Sequence, residues 1–240
     1  MSRKPRQGEC VYCGTLGYIT NDHVPPKCLF PPDARLNLVT VPACEKCNSG
    51  FRLDDEYFRV IISLRAILPN GSAADFLKDK TRRMLSHPSA EKFSKQIHGA
   101  MVPAFLRRPY FSYRVGDNLA IDADESRLEA TMERIVRGLF AKYFRHRLPD
   151  THEVSVVIMH FPEHNSALNE PEFERTLALL AKGTHVQFGS VFDCQFSALE
   201  EDHNSTIWWI KVYGNFASFC FTLPAEIMGS EKSEQSGTDH

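Results

Sequence analysis

Cys10-Val-Tyr-Cys13-Gly-Thr-Leu-Gly-Tyr-Ile-Thr-Asn-Asp22-His23, followed by Cys44-Glu-Lys-Cys47-Asn48, is the stretch that decides how the N-terminal part of the chain is built. Two Cys-x-x-Cys turns are the spacing by which four thiolates enclose one tetrahedral zinc ion. A region of this size, rich in Cys, Pro and Gly, buries little apolar surface. Metal binding should therefore supply much of its folding free energy, on the order of 10 kcal/mol. Cys10, Cys13, Cys44 and Cys47 are the expected structural zinc ligands.

The chain has 240 residues, 42% of them hydrophobic, enough for a substantial core. Its seven cysteines are an odd number, four of them lie in the two turns, and no apolar segment suited to a secretory signal opens the sequence. Metal is a better reading than a disulfide framework. Cys28, Cys194 and Cys220 read as packed thiols. No apolar run approaches the roughly 18 to 20 residues of a membrane span, so no membrane partner and a cytoplasmic location are expected. A net charge of −2 places any nucleic-acid contact on a local patch.

Around the cysteine pairs the chain divides into two parts of an α+β fold. Residues 8–52 form a zinc module with extended stretches at Gly17–Thr20 and Leu36–Val41, a loop between Pro25-Pro26 and Pro31-Pro32, and a short helix from about Cys44 that carries Cys47 and Asn48. Residues 53–228 form an accessory domain. Its 53–148 part reads as helical, with Asp54-Asp55-Glu56 in a first turn, Phe58, Ile61, Ile62 and Leu68 at helical spacing, and a stop at Pro69. Residues 125–147 repeat the pattern with Leu128, Met132, Ile135, Leu139 and Tyr143 on one stripe and Arg127, Arg134, Arg137, Lys142 and Arg145 off it. The 152–224 part reads as antiparallel strand. Val186, Phe188, Phe192, Cys194 and Phe196 share one strand parity, and Gly214-Asn215 turns a hairpin. Residues 1–7 and 229–240 are expected to be disordered.

Between the cysteine pairs lies a second set of donors. Asp22 and Asn48 offer oxygen ligands to a hard divalent ion. His23, on the opposite strand parity from Asp22, is free to take a proton from water. His87, His98, His146, His160 and His164 have no ligand spacing to partners and read as solvated or core.

Taken together, Cys10-x-x-Cys13, Asp22-His23-Val24-Pro25-Pro26, Asn37-Leu38-Val39 and Val41-Pro42-Ala43-Cys44-x-x-Cys47-Asn48 resemble the HNH endonucleases of the ββα-metal fold, in their zinc-stapled branch. The resemblance covers residues 8–56. It implies that His23 is the general base, that Asp22 and Asn48 hold a catalytic Mg²⁺ or Mn²⁺, and that the substrate is DNA, cut to a 3′-hydroxyl and a 5′-phosphate. The position of the family's middle asparagine, which orients the histidine, is occupied by Val39, and Asn37 is the nearest asparagine to serve there. The family's basic residue beyond the helix asparagine is Phe51 here, with Arg52 beside it as a shifted phosphate contact.

The basic residues of 78–95 and of the 134–147 helix are candidates to track a phosphate backbone. One active site per chain suggests a homodimer or two successive nicks if both strands of a duplex are cut. The rival reading is a non-catalytic zinc-knuckle module that binds nucleic acid or protein.

Overall fold

The structure is a computed structural model and describes residues 6–35, 38–65, 71–103, 112–115, 119–159 and 171–227. The chain is α+β. Strands β1 (Arg6–Glu9), β2 (Leu16–Val24) and β3 (Val39–Cys44) form an antiparallel sheet in the order β1-β2-β3, and β3 runs directly into α1 (Glu45–Gly50). Pro42 is tolerated in β3 because its carbonyl faces the outer edge, where it accepts from Val11 N at 3.0 Å. The N–H that proline lacks faces the same way, so the ladder to β2 loses nothing. The bond from Val11 also clamps the first cysteine turn onto the strand that carries Cys44.

Helices α2 (Arg52–Leu64), α3 (Ser72–Leu85) and α4 (Glu91–Gly99) follow, then a small sheet of β4 (Met101–Pro103), β5 (Ser112–Arg114) and β6 (Leu119–Asp122) in the order β4-β6-β5. The long helix α5 (Glu125–Phe144) leads into a five-stranded antiparallel sheet. Its strands β7 (His152–Met159), β8 (Thr184–Phe188), β9 (Phe192–Ala198), β10 (Thr206–Val212) and β11 (Phe216–Pro224) lie in the order β7-β11-β10-β9-β8, and α6 (Pro171–Ala181) precedes β8.

One buried apolar cluster runs from Val24, Leu29, Phe30 and Val41 near the cysteines, through Phe58, Ile61, Ile135 and Leu139 of α2 and α5, to Trp208 and Phe216 of the large sheet. The zinc-module residues thus share a core with the rest of the chain. Tyr213 makes the same link through a polar contact. At the β10–β11 turn, where Tyr213 and Gly214 both take positive φ, its buried hydroxyl donates to Leu29 O at 2.6 Å.

Several elements differ from the sequence reading. The helical 53–148 part contains the β4-β6-β5 sheet, whose strands of three or four residues are too short to show a period. The strand-rich 152–224 part contains α6. The single strand read from Val186 to Phe196 is a hairpin, β8–β9, turned at Gly189 with φ +57°. Its three-residue connection preserves parity, so two strands mimic one. The helix expected to reach Pro69 ends at Leu64, and Pro69 lies outside the described residues. Arg6 and Gln7, expected in a disordered arm, pair with Ile19 and Tyr18 in the first sheet, whereas 229–240 lie outside the described residues. The stretch Gly17–Thr20 is part of a longer β2, and the strand expected at Leu36–Val41 runs over Val39–Cys44. Among the described residues no helix is long and apolar enough to cross a membrane.

Candidate metal centre and adjoining cleft

The four cysteines come together as the spacing predicts. Cys10 and Cys13 sit in the turn between β1 and β2, closed by Gly14 N to Cys10 O at 2.9 Å. Cys44 ends β3 and Cys47 lies on α1. One sulfur from each lies within 4.8 Å of the others, and Cys13 Sγ and Cys44 Sγ are 3.8 Å apart. Four sulfurs at about 2.3 Å from a tetrahedral ion stand about 3.8 Å from one another, so the cluster could bind a metal such as zinc. The Thr15 hydroxyl, 3.3 Å from Cys13 Sγ, helps hold that thiol down to about 6, whereas burial and the neighbouring sulfurs push Cys47 up. Cys28, Cys194 and Cys220 are packed thiols as expected. Burial pushes Cys28 and Cys220 each up to about 12.

Beside the sulfurs, a cleft of about 480 Å³ is lined by Thr20, Asp22, His23, Lys27, Asn48, Arg52, Asp55 and Glu56, among others. Asp22, His23 and Asn48, distant in sequence, meet here because β2 runs beside the β3–α1 junction. Asp22 and His23 lie near the C-terminal end of β2, with Asp22 buried and His23 half-buried, as their opposite parity requires. Burial and the nearby Lys27 lower the His23 pKa below its usual value, which keeps the imidazole neutral and able to accept a proton.

Thr20 is a site residue that sequence reasoning missed. Its hydroxyl donates to Ala43 O at 3.1 Å, so towards Asn48 it can only accept, and Asn48 Nδ2 donates to it at 2.8 Å. This orients the Asn48 amide with its oxygen away from Thr20. The strand parity of Thr20 with Asp22 was the signal that could have found it.

Asp22 is held from outside the motif. Its Oδ2 accepts from Tyr12 Oη at 2.6 Å and from Arg134 Nη1 of α5 at 2.8 Å. Arg134 also donates through Nη2 to Asp55 Oδ1 and lies 4.9 Å over the Phe51 ring. Burial opposes the Arg134 charge, but Asp55 and Asp22 outweigh it and hold the guanidinium above its usual range. Burial pushes the Asp55 carboxyl up to about 7 against the pull of Arg134.

Arg134, grouped by its helical position with the phosphate-tracking candidates, is therefore 3% exposed and committed to two carboxylates. Arg127 pairs with Asp54, Arg137 with Glu133, and Arg82 and Arg83 with Asp79. Lys142 and Arg145 remain exposed. Asn37 lies outside the described residues, as do His160 and His164. Arg52 lines the cleft, where the shifted phosphate contact was expected. No family model matches the chain, and no curated protein or solved structure is significantly similar to it.

Proposed function

We propose that the chain is a metal-dependent endonuclease of the HNH type that hydrolyses DNA phosphodiester bonds. The observation that carries this reading is the convergence of Asp22, His23 and Asn48 on one cleft beside a four-sulfur cluster. Zinc would occupy the sulfurs as a structural ion. Asp22 and the oriented Asn48 oxygen are the ligands for Mg²⁺ or Mn²⁺, which would neutralise charge on the scissile phosphate and on the leaving 3′ oxygen.

His23, neutral at physiological pH, takes the proton from the attacking water, which leaves a 5′-phosphate and a 3′-hydroxyl. Arg52, on the cleft wall, contacts a neighbouring phosphate. Cutting both strands of a duplex takes either two such sites in a homodimer or two successive nicks by one site.

A specific observation favours the rival. The Asp22 carboxylate already accepts from Tyr12 and Arg134. That would suit a scaffold residue in a non-catalytic zinc module that binds nucleic acid or protein. The two readings separate on metal stoichiometry. Calorimetric titration of the zinc-loaded protein with Mn²⁺ should reveal one further site that Asp22→Ala and Asn48→Ala abolish without loss of zinc. Zinc alone, with no Mn²⁺ site, would favour the binding module.

A further inference from the structure

We infer that Arg134 and Tyr12 are positioning residues for Asp22, so that the N-terminal motif is completed by a cation from α5, deep in the accessory region. The inference rests on the metal-dependent reading above. Among the described residues, the donors to Asp22, Tyr12 Oη at 2.6 Å and Arg134 Nη1 at 2.8 Å, converge on Oδ2. Two donors on one oxygen fix the side-chain rotamer, and Oδ1 accepts from no described residue. An aspartate whose carboxylate rotates freely would lose entropy on binding an ion; one already held does not.

The arrangement around Arg134 is built for this task. The guanidinium is planar, so its two terminal nitrogens reach Asp22 and Asp55 at once, and Phe51 covers its face. Among the described residues Arg134 Nε is buried without a partner, so the two terminal nitrogens carry the hydrogen bonds of the guanidinium. Lysine at position 134 would preserve the charge but lacks the planar fork whose two separate nitrogens reach both carboxylates.

The test is Mn²⁺ titration of the zinc-loaded full-length protein, followed by calorimetry, in wild type, Arg134→Lys and Tyr12→Phe. Zinc content and thermal unfolding are recorded for each. Partners that orient a ligand are worth roughly 10- to 100-fold in metal affinity. Both variants should bind Mn²⁺ at least about tenfold more weakly with zinc content unchanged, and Arg134→Lys should be the weaker. Unchanged Mn²⁺ affinity in folded variants would overturn the positioning role and leave the nuclease reading standing. Absence of a Mn²⁺ site in the wild type would overturn both. If Arg134→Lys fails to fold, Tyr12→Phe, which removes one neutral hydrogen bond, decides the question alone.

Discussion

Asn48, on the first turn after β3, donates its side-chain N–H to Thr20 Oγ1 at 2.8 Å, and the Thr20 hydroxyl in turn donates to Ala43 O at 3.1 Å. A threonine on the strand thus fixes the orientation of the asparagine amide.

Thr20→Val keeps the β-branched shape and strand preference but frees the Asn48 amide to rotate. The expected outcome is a loss of about tenfold or more in metal-dependent activity. Stability should change by no more than about 1 kcal/mol. Cleavage rates against Mg²⁺ concentration, with urea unfolding in parallel, check both parts. Unchanged metal dependence would mean that the Asn48 orientation is irrelevant.

The helix that supplies Arg134 also presses directly on β2. A Cβ at Gly138 would lie 2.6 Å from Val24 Cγ2, next to His23. Gly138→Ala gains about 1 kcal/mol of helix propensity. The clash with a stiff β-branched side chain costs about 1–3 kcal/mol. A net loss of stability of about 1 kcal/mol in urea unfolding, with reduced activity, is the expected result. A stabilised variant would contradict the close packing of α5 on β2.

The His23 pKa is lowered by burial and Lys27, so the catalytically useful neutral form persists to lower pH than for an ordinary histidine. The rate should rise with pH as His23 loses its proton and then level off. The midpoint should fall below the usual value of about 6.5. Single-turnover rates from pH 4.5 to 8 with metal saturating would show this limb. A midpoint above the usual value would assign the limb to another group.

Removal of zinc should loosen the N-terminal region before the rest of the chain, because a structural zinc there would supply on the order of 10 kcal/mol. A strong chelator, or Cys47→Ala, should make residues 8–52 protease-sensitive and reduce the far-UV signal. Unchanged protection would mean that the shared core of Val24, Leu29 and Phe30 holds the region without metal.

What the sequence revealed was local. The four cysteines, Asp22-His23 and Asn48 lie on short turns and adjoining strands, so spacing alone placed them together. Arg134 was not legible because its partner Asp22 is 112 positions away and a buried cation on a helix looks, by periodicity, like a solvated one. The wide buried face of α5, which takes in Thr131, Arg134 and Gly138 beyond the apolar stripe, reflects what packs around the helix. The β8–β9 hairpin escaped for the opposite reason. Its alternation was clear, but a connection that keeps parity erased the boundary at Gly189.

The most direct test of the central claim is supercoiled-plasmid cleavage with Mg²⁺ or Mn²⁺, comparing the wild type with an identically purified His23→Ala. Metal-dependent nicking by the wild type, lost in His23→Ala at unchanged zinc content, is the predicted result. Equal cleavage by both would contradict the assignment of His23 as the base, and cleavage by neither would favour a zinc module that only binds.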